Sequence, residues 1–184
     1  RIGLDARGRP QKIDYGGKLT GQVGRFDLGV LQVRTALQGD TPGEDFTVVR
    51  PRRRLLGQSY AGLIYTRRST RDSLLPVRQT IGADFELATS RFRGSQNLQF
   101  SGFYARTPSG ATGGGADPGG DNAMYGLRLN YPNDLWNARM SYRVVQEHAD
   151  PAVGFVERAD YRRWNPVVRF GPRPGNHRFI RQVS

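Results

Sequence analysis

Residues 122–147 read NAMYGLRLNYPNDLWNARMSYRVVQE. In the first arm Ala123, Tyr125, Leu127, Leu129 and Tyr131 alternate with Met124, Gly126, Arg128 and Asn130. In the second arm Trp136, Ala138, Met140, Tyr142 and Val144 alternate with Asn137, Arg139, Ser141, Arg143 and Val145. Between them Pro132-Asn133-Asp134 forms a turn. Side chains of a strand point to opposite faces with period two. Each arm therefore has an apolar and a polar face, and the polar one carries Arg128, Arg139 and Arg143, residues that a packed protein core excludes. Aromatics at Tyr125, Tyr131, Trp136 and Tyr142 band the ends of the apolar face. A hairpin of this kind suits a bilayer on one side and water on the other.

The chain of 184 residues is long enough for one domain. Lys+Arg is 28 against Asp+Glu 16, a net charge of +12, and all the basic residues but Lys12 and Lys18 are arginine. Such a charge points to nucleic acid or an anionic surface. There is no cysteine, so disulfides and cysteine-based metal sites are excluded. No apolar run is long enough for a transmembrane helix, but membrane β-strands need only about 9–11 alternating residues. The chain opens on Arg1-Ile2-Gly3 with neither a start methionine nor a signal peptide. It stops at Gln182-Val183-Ser184, partway into a strand pattern, and so reads as a fragment.

Outward from the central hairpin, the alternation predicts strands at 17–24, 28–35, 46–52, 59–67, 80–90, 96–106 and 161–170, with a tenth beginning near His177. Turns are expected at Gly24-Arg25-Phe26-Asp27, Arg53-Arg54-Leu55-Leu56-Gly57, Phe92-Arg93-Gly94-Ser95 and Gly171-Pro172-Arg173-Pro174-Gly175. Residues 1–15 read as an irregular entry, and residues 107–121 as a glycine-rich loop unable to pack a core. Short turns follow strands one, three, five, seven and nine, and longer loops follow the even-numbered ones. In an up-and-down meander this puts all short turns at one rim and all long loops at the other, the asymmetry of outer-membrane barrels. A soluble sandwich has no reason to segregate loop length so regularly. The expectation is a single all-β domain over residues 1–184, an antiparallel meander of about ten strands forming part of an outer-membrane β-barrel.

A set of motifs spread over most of the chain resembles a bacterial family. They are Arg1-Ile2-Gly3-Leu4, Gly17-Lys18-Leu19-Thr20-Gly21, Phe46-Thr47-Val48-Val49-Arg50, Leu129-Asn130-Tyr131-Pro132-Asn133-Asp134, Val153-Gly154-Phe155-Val156 and Asp160-Tyr161-Arg162-Arg163. The family is that of the domain of unknown function 5916, whose members carry a family-nine carbohydrate-binding-module-like domain ahead of an outer-membrane barrel. The resemblance implies a sugar-binding-like module upstream and further strands downstream. It brings no catalytic residues.

Asp84 and Glu86 lie two apart on one strand face, where paired carboxylates could do acid/base work. The plainer reading is that they face a lumen holding Arg128, Arg139 and Arg143 and neutralise part of its charge. His148 and His177 have no partner at metal-ligand spacing, and no nucleophile elbow occurs. No enzyme, cofactor or metal site is therefore expected. Tyr161-Arg162-Arg163-Trp164 could stack on and neutralise single-stranded nucleic acid. Alternation instead sends Trp164, Val168 and Phe170 outward and Arg163 and Arg169 inward, so no nucleic-acid partner is expected. The leading expectation is a pore or scaffold of the bacterial outer membrane, in contact with lipid and lipopolysaccharide. Arg128, Arg139, Arg143, Arg163 and Arg169 would be its lumen-facing contacts for anionic or sugar-like solutes, with Asp84 and Glu86 beside them. The alternatives are a soluble basic β protein binding nucleic acid, and a barrel-embedded hydrolase using Asp84 and Glu86.

Overall fold

The computed structural model describes residues 2–4, 8–71, 77–108, 120–154 and 156–172. It contains nine strands: β1 (Ile13–Val23), β2 (Phe26–Thr35), β3 (Glu44–Leu56), β4 (Ser59–Thr70), β5 (Arg78–Phe92), β6 (Gln96–Arg106), β7 (Ala123–Pro132), β8 (Trp136–Val145) and β9 (Tyr161–Phe170). They form one sheet in the order β1 to β9, each strand antiparallel to the next. No helix occurs among the described residues. The all-β meander read from the sequence is the observed architecture. The tenth strand expected near His177 lies outside the described residues, as do residues 109–119 of the glycine-rich loop.

Several boundaries differ from the alternation pattern. The irregular entry does not extend to residue 15, because β1 already begins at Ile13. Its first residues pair with the end of β2 across a register shift between Ile13 and Tyr15. Phe26 and Asp27 belong to β2 rather than to a turn; the turn is confined to residues 24–25, where Gly24 takes a φ of 56°. Arg53 to Leu56 continue β3 instead of ending it. There Arg53 pairs with Phe26 on one side and Ala61 on the other, so the pairing overrides the turn-like run of arginines. β4 and β5 are likewise longer than expected, whereas β6 and β9 have the expected limits.

Directly opposed residues of paired strands share a face, so the register sorts the whole sheet. One face carries Phe85, Leu87, Leu98, Phe100, Leu127, Leu129, Trp136, Met140 and Trp164, and the other Asp84, Glu86, Gln99, Arg128, Arg139, Arg143 and Arg169. Both sets are those that the alternation predicts. The apolar face is exposed along its length, from Leu19 at 63% through Leu63 at 59% to Val168 at 67%. Buried apolar side chains among the described residues are few, with Val33, Phe46, Val145 and Ala152 clustering near the long-connection ends. Among the described residues the sheet is thus a single layer, with no second layer packed on its apolar side.

Glycines fix the packing between strands at two places. A Cβ on Gly102 would lie 2.7 Å from Leu127 and 2.8 Å from Phe85, its two cross-strand neighbours on the apolar face. A Cβ on Gly126 would lie 2.9 Å from both the Phe103 ring and the Tyr142 carbonyl. Overpacking of this kind costs about 1–3 kcal/mol. Gly126→Ala should therefore lower the unfolding free energy by that amount in urea titration. Gly17→Ala, whose added methyl meets nothing within 4 Å, should leave it unchanged or raise it by up to about 1 kcal/mol.

Candidate functional site

The polar face divides into a charge-paired half and an unpaired half. On the β2 to β5 side, Arg50 donates to Asp84 at 2.8 Å, and Arg68 forks onto Glu44 at 2.8 and 2.9 Å. Arg52 and Arg54 flank Asp27 at 3.7 Å each, and Arg52 lies over the Tyr60 ring at 4.6 Å. Gly62 opposes Asp84 and makes room for the Arg50 contact, since a Cβ there would stand 2.9 Å from the carboxylate. The ion-pair partner of Asp84 is thus Arg50 rather than Arg128, Arg139 or Arg143, although Asp84 lines the same cavity as Arg128 and Arg143. Alternation alone could place Arg50 on the polar face but could not match it to a residue on a non-adjacent strand.

β6 to β9 contain no aspartate or glutamate. Among the described residues, Arg128, Arg139, Arg143, Arg163 and Arg169 form no ion pair. Arg143 and Arg163 are directly opposed across β8 and β9, and Arg128, opposite Ser141, sits diagonally from Arg143. Like charges in direct cross-strand opposition are destabilising; water or a bound anion relieves that cost. A cavity of about 440 Å³ on this face brings together Arg128, Arg143 and Arg163 with Asp84, Glu86, Ser101 and Asn165. Arg139 and Arg169 are outside it, nearer the short-turn ends. Guanidinium forks beside hydroxyl and amide groups can hold a carboxylate or phosphate through paired, charge-assisted hydrogen bonds. Ser101 and Asn165 were not singled out from the sequence as solute contacts. Their signal was available in the register, because Glu86, Ser101, Arg128, Ser141 and Asn165 occupy one continuous cross-strand row.

The β8–β9 connection supplies a second component that the sequence did not suggest. Instead of standing clear of the sheet, it crosses towards β5. The Ala152 backbone N–H donates to the Thr80 hydroxyl at 2.9 Å, and that of Asp150 to the Thr107 hydroxyl at 3.3 Å. Asp150 also pairs with Arg78. Ala149 and Ala152 are buried at 5% and 2%. Thr80 lies on the polar face, in register with Asp84 and Glu86 two and three positions along the same strand side. The connection thus lies over the polar face at the long-connection end, seated by small side chains that permit close approach.

No family model, curated protein or solved structure matches the chain. No cluster of three or more His, Cys, Asp or Glu able to hold a metal occurs among the described residues.

Two tests follow from these contacts. Thr80→Val keeps the shape of the side chain but leaves the buried Ala152 N–H without an acceptor, at a cost of about 1–3 kcal/mol. Faster proteolysis within residues 146–154, with the sheet intact by circular dichroism, is the expected readout. Asp84→Ala should destabilise the protein by about 1 kcal/mol, the exposure of Arg50 reducing the value of the pair. Glu86→Ala, which removes no hydrogen bond or ion pair among the described residues, should change stability by less than about 0.5 kcal/mol.

Proposed function

We propose that this chain is the membrane-spanning part of a bacterial outer-membrane β-barrel, a pore or scaffold whose arginine-rich lumen favours anionic and sugar-like solutes. The same proposal places it in the family that its motifs resemble. The observation that carries the reading is the contrast between the two sides of one sheet. Nine strands expose a nearly continuous apolar surface on one side and present arginines, serines and asparagines on the other. Soluble proteins rarely expose contiguous apolar area on this scale, whereas a bilayer requires it. Strand lengths of 10 to 15 residues suffice for the roughly 9–11 residues that a tilted strand needs to cross hydrocarbon. The connections also support it: residues 24–25, 57–58, 93–95 and 133–135 at one rim, against 36–43, 71–77, 107–122 and 146–160 at the other.

In this reading the arginines of β7 to β9 set the field of the lumen. A ring or wall of arginine favours anions in a water-filled path. The carboxylates opposing it are mostly engaged with arginines of their own, so the excess positive charge falls on one wall. The crossing of residues 146–154 over the polar face narrows the path at the long-loop mouth.

Reversal potentials in planar bilayers test the proposal on the full-length protein and on Arg139→Glu combined with Arg143→Glu. The expected result is anion selectivity that falls as salt rises, because screening acts over roughly 8 Å at physiological ionic strength. The double variant should shift towards cations. Cation selectivity of the unmutated protein, or an unchanged double variant, would count against the basic lumen. Insertion without conductance would favour the scaffold.

A further inference from the structure

The apolar face is not uniformly apolar. Arg34, Arg67, Arg106 and Arg162 lie on it, each within three residues of a strand end at a long connection, and Arg53 lies on it at the short-turn rim. The ends of successive strands are offset along the sheet, so the four arginines at long connections follow that rim as a collar. Each has an aromatic neighbour one step further into the sheet or directly opposite. Tyr65, Tyr104 and Trp164 are two residues away on the same strand face, and Tyr15 stands opposite Arg34, whose guanidinium lies 5.4 Å from its ring centre. Below the aromatics come Leu63, Leu87, Leu127, Leu129 and Met140.

Charge sign on this face is selective. Asp27, Glu44, Asp84 and Glu86 all lie on the polar face. Asp45 is the strand carboxylate in regular register on the apolar face, and Arg34 holds it bidentately at 2.7 and 2.9 Å. Water would accept either sign beside a loop. A layer of phosphate would accept arginine and disfavour carboxylate. The depth order of aliphatics, then aromatics, then arginine matches hydrocarbon, interface and head-group phosphate. Long arginine stems can lie along apolar surface while the guanidinium reaches the charged layer, where its planar fork binds phosphate oxygens in pairs.

We infer that Arg34, Arg67, Arg106 and Arg162 form an external collar that binds the phosphates of lipid head groups in the leaflet at the long-loop rim. This rests on the membrane-barrel reading above and adds to it a lipid site outside the barrel, separate from the polar face. Arg67 and Arg162 are the informative members, being exposed and without the Asp45 contact that holds Arg34.

The test reconstitutes the full-length protein and the Arg67→Gln, Arg162→Gln double variant in phosphatidylcholine vesicles and titrates in a bisphosphorylated lipid A, its dephosphorylated form, or inorganic phosphate. A basic residue near an anionic surface contributes about fivefold in affinity, so the double variant should bind lipid A roughly 30-fold more weakly at low salt. Binding by the unmutated protein should weaken as salt rises, and dephosphorylated lipid A should bind no better to it than to the variant. Inorganic phosphate should not displace the lipid, since the apolar face contributes to holding the acyl chains. Equal affinity of the two proteins for lipid A, equal binding of the dephosphorylated lipid, or displacement by inorganic phosphate would overturn the collar while leaving the barrel standing. Failure of the unmutated protein to enter vesicles at all would overturn both.

Discussion

Register between neighbouring strands governs everything else in this molecule. With a side-chain period of two, a slip of one residue exchanges the faces. If β8 slipped by one against β7, Arg139 and Arg143 would join Leu127 and Leu129, and Trp136 and Tyr142 would join Arg128. The sequence defends against this with shape as well as hydrophobicity. Gly102 accommodates Phe85 and Leu127 on one face, and Gly126 accommodates Phe103 on the other. A slipped strand would put a Cβ in each of those seats. Aromatic side chains laid over cross-strand glycines pin register in sheets generally.

Those same rules explain how much could be read in advance. The faces of β5 to β9 were legible because each residue's neighbours in sequence decide its side. β6 and β9 were delimited correctly by alternation between clear turns. β3 was not, because Arg52, Arg53 and Arg54 interrupt the apolar pattern and resemble a turn. In the structure Arg53 lies over Phe26 at 5.5 Å and Arg52 over Tyr60 at 4.6 Å, so aromatic neighbours on adjoining strands keep the run extended. The Arg50–Asp84 pair was illegible for a related reason. It spans from β3 to β5, and only the missing side chain of Gly62 on the strand between them allows it. The inward path of residues 146–154 depends on hydroxyls at Thr80 and Thr107, far away in sequence, and nothing local announces it.

Charge placement follows from the environment of each face. Carboxylates gather on the polar side of β2 to β5, where arginines on the same or nearby strands can hydrogen-bond them. Arginines that form no ion pair among the described residues gather on the polar side of β7 to β9, where opposed guanidinium groups need water or anions between them. The distribution leaves one wall nearly neutral and the other strongly positive. A solute drawn by the positive wall would meet hydroxyl and amide donors of Ser101, Ser141 and Asn165 in the same rows. Attraction and hydrogen bonding therefore act at one place, which favours hydroxylated anions over simple halides on chemical grounds.

A membrane setting adds a constraint on the sheet edges. In hydrocarbon every backbone N–H and C=O needs a protein partner, so a spanning sheet must close. Successive strands alternate in direction, and β1 and β9 therefore run the same way. Joining them directly would make a parallel seam, whereas bacterial barrels of this kind close antiparallel with an even strand count. An odd number of additional strands satisfies the rule. The alternation that begins near His177, outside the described residues, would supply the first of them. The membrane reading thus makes a demand on the topology that a soluble one would not: β9 must have a neighbour on its far side, running antiparallel to it.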